Sequence, residues 1–123
     1  MPFLMLRAYG YLILFDLYLA RRNFAALYCK VRDQKIAKTD TPQVVERVCR
    51  AVDVACIWYW KEVLCLQRSA TATYLLKRYG IHAEMIIGVQ QMPVTAHAWV
   101  EVDGRVANDK PYMRKKYAVI DRC

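Results

Sequence analysis

Glycine and proline are scarce, at four of each in 123 residues, and neither a low-complexity stretch nor an internal repeat interrupts the chain. That excludes a flexible linker protein and a repeat array. With 57% hydrophobic residues, the chain is sized for one domain around one core. Acidic residues are also few, 11 against 19 Lys and Arg, leaving a formal net charge of +8. Such a surplus suits an acidic partner. The basic residues are scattered, however (Arg21-Arg22, Arg47, Arg50, Lys77-Arg78, Arg114-Lys115-Lys116), and no aromatic-and-basic platform recurs along one element. Nucleic acid is therefore not the expected partner.

Histidine is rarer still, with only His82 and His97, and there is no C-x-x-C. A standard zinc site cannot be assembled from that set, so no metal and no cofactor is expected. Five cysteines (Cys29, Cys49, Cys56, Cys65, Cys123) form an odd number without the short paired spacings of a disulfide scaffold. This reads as a reducing, cytoplasmic setting with mostly structural thiols. A long hydrophobic run is missing too. Met1 to Leu19 is apolar, but Arg7 and Asp16 leave only eight uncharged residues between them, too short a run to cross a bilayer. No small-residue cleavage site of a signal peptide follows it. A buried or partner-facing helix is expected there, with membrane association only through a complex.

The hydrophobic spacing predicts helices over about 3–20 and 21–32. Another is predicted over about 42–60, opened by Pro42 with Asp40 or Thr41 as cap and carrying Val44, Val45, Val48, Val52 and Ala55 at helical spacing. A further helix starts at or just before Cys65, turns Leu66, Ala70, Thr73 and Leu76 inward, and stops at Gly80. The period then changes to two. Ile81–Val89 and Val94–Val102 read as strands, Asp103-Gly104 as a hairpin turn, Arg105–Asp109 as the returning strand and Tyr117–Ile120 as one more. The expected class is α+β: N-terminal helices followed by a small antiparallel β-sheet packed on the cysteine-bearing helix. Residues 1–40 form a helical extension and 41–123 the core, in a single compact domain overall.

Within this frame Cys65 is the candidate nucleophile. Free N–H groups and the dipole at a helix start favour a thiolate, and the same N–H groups can donate to a tetrahedral oxyanion. Cys49 and Cys56 fall in a helix interior among valine and alanine, where a cysteine is a small hydrophobe. The plain alternative for Cys65 is one more buried thiol. His97 is the candidate base. If the even positions of its strand face the core, Thr95, His97, Trp99 and Glu101 share the other face, where a packing histidine is not expected. An idle surface histidine is the alternative. His82, just after Gly80, is expected to be solvated. The group that orients the imidazole depends on the hairpin register. A two-residue loop pairs Val102 with Arg105 and turns Asp109 to the valine face. A three-residue loop with a glycine bulge pairs Val102 with Val106 and Trp99 with Asp109, apolar with apolar, and brings Asp109 to the histidine's face. The second register is the expected one. Glu101 rivals Asp109 because it shares that face without a bulge, and Asp103 reads as a turn residue.

Cys65-Leu66-Gln67-Arg68-Ser69, the helix end Leu-Leu-Lys-Arg-Tyr-Gly-Ile (75–81), the run from His97 to Gly104 and Asn108-Asp109 together resemble the lasso-peptide leader peptidases. These are transglutaminase-like cysteine proteases. The resemblance covers roughly residues 40–110. It implies a transglutaminase/papain-like core and a triad of Cys65, His97 and Asp109; Trp99 and Glu101 are candidates to line the cleft, with packing an equal alternative for Trp99. It also implies removal of the leader from a ribosomally made precursor through a thioester, so that a separate cyclase can close the core peptide. The partners implied are the precursor peptide, a separate leader-recognition protein as in split members of the family, and the lasso cyclase. Gln67 departs from the family by replacing a frequent proline. An acyltransferase using the same triad and a non-catalytic module of a maturation complex are the competing readings.

Overall fold

The structure is a computed structural model that describes residues 2–35, 44–91, 94–108 and 113–123. Helix α1 (Pro2–Ala20) buries Leu4, Ala8, Leu12 and Phe15, a three-to-four-residue stripe on one face. That stripe meets two helices. One is α3 (Val44–Trp58), through Val48, Val52 and Ala55, and the other is α4 (Cys65–Arg78), through Ala72, Leu75 and Leu76. The start expected for α3 at Pro42, with its Asp40 or Thr41 cap, lies outside the described residues. Helix α2 (Phe24–Asp33) begins later than the sequence suggested. Arg22 takes a φ of 53° and Asn23 caps the helix, its side chain accepting from the Ala26 N–H at 3.2 Å. Leu27 and Val31 of α2 join Phe15, Ala70 and Met85 in a second apolar cluster.

Helix α4 ends as its sequence predicts. Gly80 sits at φ 86°, the Ile81 N–H reaches the Leu76 carbonyl at 3.0 Å and the Gly80 N–H reaches Lys77 at 3.1 Å. These are the two crossed bonds of a Schellman stop, which needs a residue tolerant of the left-handed region.

Four antiparallel strands follow: β1 (Ala83–Gln91), β2 (Val94–Val102), β3 (Arg105–Val106) and β4 (Ala118–Arg122), in the order β3-β2-β1-β4. The α-helices cover one face, where Val100 and Ala83 enter the main core. The opposite face is not open as the alternation implied. The short helix α5 (Met113–Lys116), which has no periodic signature, supplies Met113 to a third cluster with Trp99 and Ile86, flanked by Val106 and Tyr117. Trp99 and Glu101 are buried there.

The hairpin corrects the expected register. Val102 pairs with Arg105 and Glu101 with Val106, so the loop is the two residues Asp103-Gly104. Their φ values of 53° and 77° are those of a type I′ turn, whose twist matches the strands it joins. Strand β3 is also shorter than the predicted 105–109. The Ala107 N–H still donates to the Val100 carbonyl at 2.8 Å, but the Val100 N–H donates to the Asn108 side-chain oxygen at 2.7 Å. A side chain has taken the place of the backbone acceptor, which ends the ladder. Asp109 lies outside the described residues, so the pairing of Trp99 with Asp109 does not occur within the described ladder. Among the described residues no helix is long and apolar enough to cross a membrane.

Candidate active site

Cys65 is the first residue of α4, as its sequence context predicts. The preceding Leu64 is extended (φ −74°, ψ 153°) and caps the helix with no side-chain hydrogen bond. A leucine cannot accept from the first-turn N–H groups, so these remain oriented toward whatever approaches the thiol. His97 lies on β2, half-buried, directly opposite Gly88 of β1. Cys65 and His97 line one and the same cavity of about 300 Å³. The remaining lining comes from Leu64 and Leu66 around the cysteine, Ile87, Ala96 and Ala98 on the sheet, and Phe24 at the start of α2. A cysteine at a helix tip and a histidine from the adjacent strand thus border a common space.

Hydrogen bonds hold these two parts in register. Ser69, one turn beyond Cys65 on α4, is fully buried and donates to the carbonyl of Ala98, the residue after His97, at 3.0 Å. The Asn108 side-chain amide donates to the same hydroxyl at 3.2 Å while its oxygen receives the Val100 N–H. Arg68 donates to the Asn108 carbonyl at 2.7 Å and lies 3.9 Å from Asp53 of α3. The cysteine's helix, the histidine's strand and the segment after the hairpin therefore share one polar junction. On the other side of α4, buried Gln67 donates to the Leu12 carbonyl at 2.7 Å and ties the first turn to α1. The segment leading into Cys65 is anchored at Asp16, which accepts from the Tyr59 hydroxyl at 2.8 Å and pairs with Lys61 at 2.7 Å.

The imidazole backs onto rings. Its centroid lies 6.1 Å from Trp99, nearly parallel, and 5.4 Å from Tyr117, and those two rings are 6.0 Å apart. Gly88 makes room for this stack. A Cβ there would lie 2.6 and 2.7 Å from Trp99 Cη2 and Cζ3 and 2.8 Å from Tyr117 Cβ. Trp99 donates its indole N–H to Glu101 at 2.9 Å, and Glu101 also lies 3.6 Å from Arg122. Both residues are buried behind the histidine, the packing role that the sequence left open for Trp99, and neither is among the described residues that line the cavity. The sheet wall of the cavity is the helix-facing side of the sheet, Ala96 and Ala98 of β2 with Ile87 of β1; α5 and Tyr117 cover the odd face, and among the described odd-face residues of β2 only His97 also borders the cavity. His82 is exposed, as expected.

The other thiols differ in surroundings. Burial pushes Cys49, Cys56 and Cys123 up to about 11. Sequence reasoning gave no role to Ser69, Asn108, Gly88 or Phe24. Ser69 was legible as a hydroxyl on the same helix face as Cys65, four residues on, and Gly88 as a lone glycine inside a strand pattern. Nothing local marks Phe24, which reaches the cavity only through the packing of α2. Among the described residues no group of His, Cys, Asp or Glu could hold a metal ion.

Comparison with known proteins agrees with this architecture. The family model described as "Transglutaminase-like superfamily" matches residues 5–122. A 56-residue stretch is 45% identical to the microcin J25-processing protein McjB of Escherichia coli, covering 46% of this chain and 27% of that relative. The matched stretch thus spans about a quarter of the relative's length. No solved structure matches.

Proposed function

Since the chain belongs to the transglutaminase-like superfamily, we propose that it is a cysteine peptidase that removes the leader from a lasso-peptide precursor. The observation that carries this reading is the cavity shared by Cys65 and His97, with Cys65 at an uncapped helix start. The relative whose name records the processing of microcin J25 directs the choice of substrate. Cys65 loses its proton to His97 and attacks the last leader carbonyl. The first-turn N–H groups of α4 receive the developing oxyanion, and His97 returns the proton to the departing amine. Water, deprotonated by the same imidazole, then releases the leader from the thioester. Asp109 is assigned to hold the imidazole tautomer. It directly follows Asn108, which is fixed to the strand bearing His97. The freed amine of the core passes to a separate cyclase, and a separate recognition protein presents the leader.

The test is incubation of purified protein with a precursor peptide and the leader-recognition protein, read by mass spectrometry. Two fragments summing to precursor plus water are expected, and none with Cys65→Ala. Unchanged processing by Cys65→Ala, or an adduct with an amine in place of water, overturns the peptidase reading.

A further inference from the structure

The cavity beside Cys65 holds more information than the presence of a nucleophile and a base. Apart from those two side chains, the described residues of its wall are hydrocarbon: Phe24, Leu64, Leu66, Ile87, Ala96 and Ala98. Among the described residues the wall carries no carboxylate, ammonium or amide side chain to meet a polar group. A charged side chain seated there would lose its water and gain no partner, whereas an apolar one would be transferred out of water. The volume of about 300 Å³ lies at the small end of ligand pockets, enough for one side chain and its backbone but not for a folded element. Two alanines on β2 create the space, and the phenylalanine and leucines bound it.

Phe24 is the part of this wall that comes from farthest away in sequence. It is the first residue of α2, directly after the cap at Asn23, and the left-handed Arg22 turns the chain into that cap. Phe24 is 44% exposed, so much of it faces open space and not the core. Leu64, at 57% exposed, is its counterpart on the cysteine's side. Leu27 and Val31 anchor α2 in the core behind it, while Phe24, whose ring lies 6.1 Å from that of Tyr28, stays outside the buried cluster.

We infer that this cavity is a specificity pocket that seats one uncharged, apolar side chain of the substrate peptide near the bond that Cys65 attacks, and that Phe24 sets its size. The inference rests on the peptidase reading for the identity of the substrate, but the pocket's preference is measurable without it.

The probe is a set of N-acetylated tripeptide chloromethyl ketones in which one residue at a time is Ala, Leu, Phe, Asp or Lys. The Cys65 sulfur displaces chloride from the methylene carbon, so an S–C bond forms as the C–Cl bond breaks, and peptide mapping reports the rate at Cys65 apart from the free, half-buried Cys29. At one of the three positions Leu is expected to outrun both Asp and Lys by about tenfold or more, the scale on which apolar pockets discriminate. Using both signs of charge separates an apolar pocket from attraction by the chain's net positive charge. Phe24→Ala is expected to shift the ranking toward Phe and Phe24→Trp toward Ala. Each rate is divided by the same variant's rate with iodoacetamide, which has no side chain to seat, and circular dichroism reports that the fold is intact. Equal rates for Leu, Asp and Lys at all three positions overturn the pocket, as does an unaltered ranking in both Phe24 variants with unchanged circular dichroism. A precursor left uncut while the ranking holds removes the peptidase reading and keeps the pocket. Cleavage without any ranking does the reverse.

Discussion

A cysteine's chemistry is decided by its surroundings, and this chain sets up an internal comparison. Cys49, Cys56 and Cys123 are held as thiols by burial, at about 11, while Cys65 opens a helix beside a cavity. Because the thiolate is the nucleophile, alkylation with iodoacetamide at pH near 8 should modify Cys65 and leave those three unmodified, as peptide mapping would show. Labelling of the three should rise only as the pH approaches their raised values, because the thiolate fraction grows with pH. Gly88 makes a second residue-scale case. Gly88→Ala places a methyl group within 2.7 Å of the Trp99 ring and 2.8 Å of Tyr117 Cβ, and the latter cannot swing away. A loss of about 1–3 kcal/mol in denaturant unfolding is expected, with a larger fall in kcat than in KM because the displaced rings support His97. The positions of Cys65 and His97 were legible in the sequence because each has a physical signature, a helix start and the odd positions of a strand. The burial of Trp99 and Glu101 was not. It depends on α5, a four-residue helix whose spacing carries no signal.

Elements rather than residues set the distance between the cysteine's helix and the histidine's strand. The helices of the core and the long strands were readable from their periods, and the stop of α4 from Gly80. The hairpin register was not, for a reason that can be named. Matching apolar with apolar favoured a bulge, yet Asp103 accepts a left-handed φ and completes a two-residue turn with Gly104. The Asn108 side chain then captured the Val100 N–H, a competition invisible to strand pattern. The approach to α4 depends on Asp16 in a similar way. Burial raises its carboxyl's pKa, but hydrogen bonds from Lys61 and Tyr59 outweigh this and hold it below the usual carboxylate value. A carboxyl with a depressed folded-state pKa contributes stability at pH above its unfolded value, and that contribution is lost as pH falls through the folded value. Asp16→Asn should therefore cost about 1–2 kcal/mol near neutrality. The gap from the unaltered protein should close below about pH 4, as urea midpoints measured across pH would show.

At the scale of the whole molecule, α4 is the common member. Its first residue is the thiol, and near its last turn Lys77 is buried, donating to the Val31 carbonyl at the end of α2 at 2.8 Å and to the Cys123 carbonyl at 2.7 Å. Lys77→Met keeps the length of the side chain but orphans two carbonyls, each worth about 1–3 kcal/mol. A marked drop in melting temperature is expected. The iodoacetamide rate at Cys65 should be little changed below that melt, since the two ends of α4 are held by different partners. The cavity likewise draws on the length of the chain: Phe24 precedes Cys65, and His97 lies on a strand whose neighbour β1 is also paired with β4. In chain order Phe24 and the Cys65 thiol come before β1 and β2, and β4, which pairs with β1, comes after both. On the peptidase reading the site is therefore whole only once strands on both sides of β1 have paired.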